Sequence, residues 1–446
     1  MKALIIRDAA VLTMDSGLGD FDRADILVED DTIRAVGAIP PGTDGEIIDG
    51  RGMIAFPGFV DTHRHTWQSA IRHSYADRDP AQYFAEVLRG TGAAYTPADV
   101  RIGNLLGAIS AISMGTTTLF DWSHIQNSPA HSDSAIAGLR ESGIRAVFGH
   151  GWPLTDDGRW TADSSLSHPA DIRRVQAEHF GPDSPLLSLA MAARGPEMAS
   201  EKVWLGDLEL ARELGIRSSI HVGAYAHNAV HAAVRQMHDA GVLHSDLTFV
   251  HCCRSGSDEL TMIAECGASV SLGAHCEMNS QGIGHIPLDR LLQRRIRPSL
   301  SGDTETKCSG DMFTQMRMLF GHHRSWMGGG NSEVPPAEAA LTLRDVLEFA
   351  TVEGARAIGQ DSRIGTLTPG KQADIVLIRA TDLNLAPVMD PVAAVVLAAH
   401  EGNVDTVLVA GRRRKSGGQL VDIDTDAIVG AARDSQQAIL RRRLAA

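Results

Sequence analysis

The chain has 446 residues, of which 43% are hydrophobic and 22% charged, values typical of a soluble globular protein with a sizeable core. Its formal net charge of −14 argues against a nucleic-acid partner and against docking on an anionic membrane. The sequence has no apolar run long enough to span a membrane and no long apolar core after Met1, which favours a cytoplasmic location.

Both ends of the chain are rich in short β-like runs. At the amino-terminal end, runs separated by turn signals lie at residues 3–6, 10–13, 26–29, 33–36 and 47–49. Near the carboxyl-terminal end, such runs lie at 374–378, 393–397 and 406–410, and an amphipathic helix is expected over 425–444. Two β-rich segments that flank a large middle predict a small discontinuous β-sandwich domain, formed by residues 1–55 and 366–446.

The middle of the chain, residues 56–365, alternates strand-like runs with amphipathic stretches. Eight strand candidates lie at 54–60, 116–121, 145–148, 186–190, 217–221, 248–251, 268–272 and 298–301. This alternation predicts an α/β fold, a (β/α)8 TIM barrel. A doubly wound open sheet is the alternative, because periodicity alone does not separate the two.

The first barrel strand ends in two histidines one residue apart, His63 and His65. Side chains at i and i+2 of a strand point to the same face, so both imidazoles can reach one point at the carboxyl end of the strand. Two neutral imidazoles that converge suit a divalent transition metal. A pair of ordinary hydrogen-bonded histidines is the alternative, because two ligands do not define a metal site.

Further polar side chains follow the later strand candidates. His221, His251 and Asp303 come at the ends of the fifth, sixth and eighth, while His124 and His150 follow the second and third. In a barrel these strand ends meet at one rim, where such enzymes place their chemistry. The histidine pair of the first strand, together with one histidine and one carboxylate from later strands, would form a metal site of borderline hardness.

Two motifs near the ends of the chain resemble the amidohydrolase superfamily, in its cytosine-deaminase-like and triazine-hydrolase-like branch. Residues 57–65, Pro-Gly-Phe-Val-Asp-Thr-His-Arg-His, are similar to the superfamily's opening motif. Residues 365–374, Gly-Thr-Leu-Thr-Pro-Gly-Lys-Gln-Ala-Asp, are similar to the segment that returns the chain to the β-sandwich, and residues 350–355 resemble the helix before it. The resemblance covers nearly the whole chain.

The resemblance implies one divalent metal ion per subunit, held by His63, His65, His221 and Asp303. Asp303 would also accept a proton from the metal-activated water, and His251 would be either a further ligand or a catalytic partner of that water. Binuclear relatives carry a carboxylated lysine at the end of strand 4, whereas residues 186–194 contain no lysine. Zinc and iron(II) both fit the implied ligands, and zinc is favoured.

The sequence departs from the family pattern on strand 5. Relatives that deaminate aromatic rings usually carry His-x-x-Glu there, but Ala224 stands at the glutamate position after His221. Alanine cannot carry a proton, so another acid acts or the chemistry differs. Glu277, after strand 7, is the leading substitute and a candidate catalytic residue; a solvated loop carboxylate is the alternative. Glu305, after strand 8, is the second candidate for the missing acid, and we expect it to bind substrate.

Four more rim residues are candidates for substrate binding. Trp67 and Gln68 directly follow the histidine pair, and an aromatic ring and an amide suit a planar, nitrogen-rich ligand. His124 and His150 could line the same pocket. Core packing is the alternative for Trp67, and structural hydrogen bonding is the alternative for the two histidines.

The resemblance therefore implies a metal-dependent hydrolase that cleaves a C–N bond, as in deamination of a nitrogen-containing heterocycle. Loss of a halide or an alkylamine from a heteroaromatic ring, and hydrolysis of a cyclic amide, are the alternatives. A non-catalytic scaffold on the same fold is the remote alternative, because it predicts eroded metal ligands. The expected partner is a small-molecule substrate, and a homo-oligomer, dimer or tetramer, is expected from the relatives.

Overall fold

The computed structural model describes residues 3–181 and 186–445. The amino-terminal segment forms five strands: β1 (Leu4–Val11), β2 (Phe21–Glu29), β3 (Thr32–Gly37), β4 (Glu46–Asp49) and β5 (Met53–Pro57). The predicted runs 3–6 and 10–13 are parts of the single strand β1. Its register on β2 shifts between Ile6 and Ala9, and Asp8 within that shift has a φ of 60°. A bulge of this kind bends a strand without ending it.

Eight parallel strands form the barrel: β6 (Phe59–Arg64), β7 (Thr116–Ser123), β8 (Arg145–His150), β9 (Leu187–Ala193), β10 (Ser218–Val222), β11 (Leu247–His251), β12 (Ser269–Leu272) and β13 (Ser299–Leu300). Each strand pairs with the next one along the chain. The first and last strands meet where the Asp303 N–H donates to the His63 carbonyl and the His65 N–H donates to the Asp303 carbonyl, both at 2.9 Å. The predicted TIM barrel is confirmed.

Helices connect the strands and pack around the barrel. They are α1 (Pro80–Gln82), α2 (Pro97–Ser113), α3 (Pro129–Ser142), α4 (Asp157–Thr161), α5 (Asp171–His179), α6 (Glu201–Glu213), α7 (Ala226–Ala229), α8 (Ala233–Asp239), α9 (Ser257–Cys266), α10 (Ala274–Asn279), α11 (Leu288–Gln293), α12 (Met312–Gly328), α13 (Leu343–Phe349), α14 (Val352–Ala357), α15 (Pro391–Ala393) and α16 (Thr425–Ala445). Shorter 3₁₀ turns lie at Thr66–Ile71, Gly92–Ala94 and Glu401–Asn403, and π-helical turns at Tyr83–Thr91 and Ala394–Ala398. Within the described ranges, no helix combines the length and the apolar character needed to cross a membrane.

The two chain ends share one mixed sheet. The carboxyl-terminal segment contributes β14 (Ile375–Arg379), β15 (Val404–Val409), β16 (Arg412–Ser416) and β17 (Gln419–Leu420). The strand order is β17-β16-β15-β14-β5-β1-β2-β3, with β4 paired to β1. Strand β5 joins the two ends, because it pairs in parallel with β1 and antiparallel with β14. The predicted association of the chain ends is confirmed, in the form of a nine-stranded sheet.

The predicted strand 54–60 is two strands that belong to different sheets. Strand β5 lies in the sheet of the chain ends, β6 opens the barrel, and the chain changes sheet at Gly58. A Cβ atom on Gly58 would lie 2.1 Å from the Thr117 hydroxyl oxygen, so only glycine fits this close approach. The domain boundaries at residues 55/56 and 365/366 stay predictions.

The strand predicted at 393–397 is wrong, because this segment is helical. It comprises the end of α15 and the following π-helical turn. Pro391 occupies the first position of α15, and the Asp390 side chain accepts hydrogen bonds from the N–H groups of Val392 and Ala393. This cap satisfies the first free N–H groups of a helix and outweighs the β-like apolar run.

A buried ion pair fastens the sheet of the chain ends to the barrel. Arg145 of β8 donates from Nε and Nη2 to the two carboxylate oxygens of Asp374, at 2.9 and 3.1 Å. The Asp374 carbonyl also accepts from the Gly58 N–H, and its carboxylate accepts from the Ala410 N–H. The one carboxylate therefore links three chain segments at the junction of the two units.

Candidate active site

Three histidines converge at the carboxyl-terminal rim of the barrel. Ring nitrogens of His63 on β6, of His65 directly after β6 and of His221 on β10 all lie within 4.8 Å of one another. Asp303, just after β13, adds a carboxylate whose Oδ1 atom is 3.5 Å from Nε2 of both His63 and His65. The predicted metal ligands are therefore brought to one point by three strands that are distant in sequence.

Two charged residues of β6, Asp61 and Arg64, hold the end of this strand in place. Arg64 points away from the site and pairs with Asp61, with 2.8 Å between Nε and Oδ2. The other Asp61 oxygen accepts from the Gly302 N–H at 3.0 Å, which fixes the loop that carries Asp303. The alternation of side chains along β6 thus separates a buried structural ion pair from the two candidate ligands.

The nitrogen atoms of these histidines suit a metal ion. Neither ring nitrogen of His63, nor Nδ1 of His221, has a hydrogen-bond partner among the described residues. Buried polar atoms without partners are rare and costly, and coordination would satisfy them. The His65 Nδ1 lies 3.0 Å from the Trp122 carbonyl, and donation there leaves Nε2 free to coordinate. Burial and the neighbouring His63 lower the pKa of His65 to about 3, which keeps its imidazole neutral.

His251 is oriented by a carboxylate behind it. Its Nδ1 lies 3.1 Å from Glu277 Oε1, and its Nε2 lies 3.9 Å from Asp303 Oδ2. Burial works to lower the pKa of His251, but the carboxylates of Glu277 and Asp303 outweigh it and raise that pKa above its ordinary value. Glu277 also accepts from the Gly273 N–H, is 2% exposed and lies outside the cavity lining. The structure therefore puts Glu277 behind His251, not in place of the missing strand-5 glutamate.

A cavity of about 260 Å³ lies over this cluster. Most of its wall is aromatic or apolar, with Tyr83, Phe84, Trp122, Trp152, Met198 and Tyr225. The polar groups that line it include the side chains of His65, His124, Glu197, His221, His251, Asp303 and Lys307. A cavity with aromatic side chains and titratable polar groups in its wall is typical of a binding site for a small molecule.

Of the predicted substrate-binding residues, His124 lines the cavity, and its ring centroid is 4.4 Å from that of His65. Trp67 and Gln68 are fully buried and lie outside the cavity lining. The Trp67 ring packs against those of Tyr95 and His124, at centroid distances of 5.0 and 5.7 Å. Both residues belong to the 3₁₀ turn that follows the histidine pair, and this turn carries their side chains behind the cavity wall.

His150 and Glu305 also lie outside the cavity lining. His150 is buried, with its Nδ1 2.9 Å from His168 Nε2. Glu305 pairs with Arg72 at 3.0 Å and accepts a hydrogen bond from Ser69. These contacts hold both side chains away from the cavity, although His150 Nε2 has no hydrogen-bond partner among the described residues.

Glu197 is the residue that sequence reasoning missed. It follows β9, lines the cavity, and accepts a hydrogen bond from the Gly223 N–H with 2.6 Å between the heavy atoms. Gly223 has a φ of 58°, and a Cβ atom there would lie 2.9 Å from the Ser255 nitrogen, so the donor position requires glycine. This bond holds the Glu197 carboxyl at the residue before Ala224, and both Glu197 and Ala224 line the cavity.

Burial raises the pKa of Glu197 to about 7, with Glu259 also raising it and the Gly223 N–H and His251 lowering it. Among the described residues, Glu197 and Asp303 are the carboxyl groups that line the cavity. A signal existed in the sequence, because Glu197 lies four residues after the end of a barrel strand, within the rim loops that carry chemistry in this fold.

The Amidohydrolase family matches residues 54–414 of the chain. The 5'-deoxyadenosine deaminase of Methanothermobacter thermautotrophicus is 30% identical over 419 residues, which cover 90% of this chain and 91% of the relative. The 5-methylthioadenosine/S-adenosylhomocysteine deaminase of Pelotomaculum thermopropionicum is 28% identical over 463 residues, covering 99% and 100%.

Solved structures share the fold over nearly the whole chain. A zinc-bound adenosine deaminase from Xanthomonas campestris superposes with a TM-score of 0.85 at 22% identity, covering 98% of each chain. The zinc complex of atrazine chlorohydrolase from Arthrobacter aurescens gives a TM-score of 0.86 at 21% identity, covering 98% of this chain and 100% of the other. The family match spans most of the chain, and this protein belongs to the amidohydrolase family.

Proposed function

We propose that this protein is an aminohydrolase that replaces an amino group on a nitrogen-containing heterocycle by oxygen and releases ammonia. One divalent metal ion, with zinc favoured over iron(II), would be held by His63, His65, His221 and Asp303. The observation that carries the proposal is the convergence of these ligands under an aromatic cavity that also contains Glu197. The deaminase names of the relatives that cover most of the chain support the same reaction class.

The donor set fits a single ion. Three imidazoles and one carboxylate suit a mononuclear zinc or iron(II) site, and β9 carries no lysine that could bridge a second ion. Zinc in the two related structures supports the choice of metal. When bound, such an ion lowers the pKa of coordinated water from 15.7 to about 7 in favourable sites.

Two carboxyl groups divide the proton transfers of the proposed reaction. The attacking water forms a bond to the amino-bearing ring carbon and gives one proton to Asp303, while protonated Glu197 donates its proton to the adjacent ring nitrogen. The new hydroxyl then returns a proton to Glu197 as the carbonyl forms. Asp303 passes its proton to the amino group, which leaves as ammonia when the C–N bond breaks. One water is consumed, and both carboxyl groups return to their starting states.

His251 stabilises the oxygen that develops negative charge on the attacked carbon. Its Nδ1 is held by Glu277, so the Nε2 side of the ring faces Asp303. A carboxylate that accepts from one ring nitrogen orients the imidazole and stabilises its protonated form. Glu277 is thus a positioning residue in this proposal.

Loss of a halide or an alkylamine is the second candidate function. It is favoured by the aromatic cavity and by the fold shared with an atrazine chlorohydrolase. Halide leaves without protonation, so in this reaction Asp303 would release its proton to solvent and not to the leaving group.

A screen of the zinc-loaded protein tests the proposal. Aminopurines, aminopyrimidines, aminotriazines, chlorotriazines and cyclic amides would be compared, with release of ammonia, release of halide and ring opening followed in parallel. Ammonia release that requires metal supports the aminohydrolase, whereas halide release alone or cyclic-amide opening alone would favour the alternatives. Absence of every reaction from fully loaded protein would contradict the proposal.

We also propose an oligomeric state and a cellular location for this protein. A homo-oligomer, dimer or tetramer, would be detected by light scattering after size-exclusion chromatography. The cytoplasmic location would be tested by fractionating cells of the source organism.

A further inference from the structure

Lys307 is a largely buried lysine that lines the cavity. It follows Asp303 in the loop after β13, and its residue surface is 5% exposed. Its Nζ lies 4.6 Å from the centre of the Tyr83 ring. No carboxylate pairs with this ammonium among the residues that the structure describes. The Nζ atom is not among the fully buried polar atoms that lack a partner, so it is accessible from the cavity, where it can pair with a bound anion.

The other half-buried or buried lysines of the chain show what a structural lysine looks like here. Lys415 is 3% exposed, and its Nζ donates to the carbonyls of Ser113 and Glu401 at 2.8 and 3.4 Å. Lys371 donates to the Ile364 carbonyl at 3.1 Å. Lys307 has no such carbonyl acceptor within the described ranges, and its ammonium faces the cavity.

The surroundings of Lys307 hold its backbone and its aromatic support in place. The Lys307 carbonyl accepts from Asn279 Nδ2 at 3.1 Å. Gln68 donates to the Tyr83 hydroxyl at 2.8 Å and accepts from Thr304, which precedes Lys307 in the same loop. Gln68 therefore acts on the cavity indirectly, by holding the ring on which the ammonium rests.

We propose that Lys307 binds an anionic oxygen of the substrate, either a carboxylate or an ionised ring oxygen. The inference rests on the proposed aminohydrolase function and narrows its substrate to amino-heterocycles that carry such a group. A lysine ammonium on a cavity wall that is mostly apolar pairs strongly with an oxygen anion, because water is largely displaced on binding. The aromatic wall would hold the ring while Lys307 fixes its orientation.

The experiment compares matched substrates with matched variants. Each aminopurine, aminopyrimidine and aminotriazine is tested unsubstituted, with a ring hydroxyl and with a carboxylate, against wild type, K307M, K307R and the buried-lysine control K415M. A charge-assisted contact predicts that K307M loses about 10- to 100-fold in kcat/KM on anionic members, mainly through KM, and little on neutral members. K307R restores part of the loss, and K415M keeps the wild-type preference.

The carboxylate and hydroxyl series decide which oxygen anion is bound. Equal losses on neutral and anionic members, or no preference in wild type, would overturn the role of Lys307 while leaving the aminohydrolase intact. If no member releases ammonia, the proposed function fails, and calorimetric binding of the same compounds still tests Lys307. Binding of anionic members that is at least about tenfold weaker in K307M supports the inference, and equal binding refutes it.

Discussion

Replacing Glu197 by glutamine separates the proton of this carboxyl from its packing. Glutamine keeps nearly the same volume and keeps an oxygen that can accept from the Gly223 N–H. The variant should therefore fold and bind metal like wild type. Because glutamine cannot donate the proton assigned to Glu197, kcat should fall by about 10²- to 10⁴-fold.

The same substitution has a calculable effect on stability. The pKa of Glu197 is about 7 in the folded protein, against 4.5 as its ordinary value. Well below pH 4.5 the carboxyl is protonated in both the folded and the unfolded chain, so its ionisation does not change the free energy of unfolding. Between pH 4.5 and 7 the unfolded chain loses this proton first, so the free energy of unfolding of wild type falls as pH rises. The full loss corresponds to up to about 3 kcal/mol, an upper bound because the side chain borders the cavity.

The assay is urea unfolding of metal-free wild type and E197Q at pH 5 and pH 8. We expect the variant to exceed wild type by less than about 1 kcal/mol at pH 5 and by up to about 3 kcal/mol at pH 8. In the metal-loaded enzyme, kcat/KM of wild type should decrease as pH rises through the pKa of Glu197, which is at most about 7 because a nearby cation favours the carboxylate. The pH profile of E197Q should lack this decrease. The exposed control E338Q should change neither quantity. A pH-independent stability difference, or unchanged turnover in E197Q, would refute the assignment.

Three further predictions address the metal site, His251 and the domain junction. The H63A/H65A double variant should keep its circular dichroism spectrum but lose metal and activity, and full metal occupancy by mass spectrometry would exclude these ligands. E277Q should slow turnover about 10- to 100-fold with metal content unchanged, because His251 loses its orienting carboxylate; an unaltered rate would remove Glu277 from the mechanism. D374N should lower the free energy of unfolding by about 3–5 kcal/mol, since it leaves the Arg145 guanidinium buried without its counter-charge, and a change below about 1 kcal/mol in denaturant unfolding would show that the pair is dispensable.

The barrel and the ligand cluster follow from regularities that are visible in the sequence. Alternation along a strand places His63 and His65 on one face, and the topology of a parallel barrel brings the strand ends that carry His221 and Asp303 to the same rim. The family prediction is confirmed by the match over residues 54–414. The barrel prediction depends on periodicity and strand order, which local sequence encodes well, whereas the family and the choice of ligands depend on the resemblance of the two motifs.

Periodicity and strand order could not predict which side chains near the barrel rim enter the cavity and which lie behind its wall. Trp67 and Gln68 follow the histidine pair in sequence, but the 3₁₀ turn directs them behind the cavity wall. Glu197 enters the cavity because Gly223 adopts a left-handed conformation that offers its N–H, a contact between residues from two different strands. Such loop contacts depend on tertiary packing and leave no periodic signal.

The misassigned strands have separate physical causes. The run 54–60 is continuously apolar because both β5 and β6 are buried, so hydrophobicity could not show that the chain changes sheet at Gly58. The run 393–397 carried its own helix signal, Asp390 followed by Pro391, which the apolar content of the segment obscured.

A zinc titration of the metal-free protein, with ammonia release followed on a substrate identified by the screen, tests the central claim most directly. The account predicts that activity rises in proportion to added zinc and saturates at one ion per chain, and that H63A/H65A stays inactive at every concentration. Full activity in rigorously metal-free protein, or saturation only at two ions per chain, would contradict a mononuclear aminohydrolase.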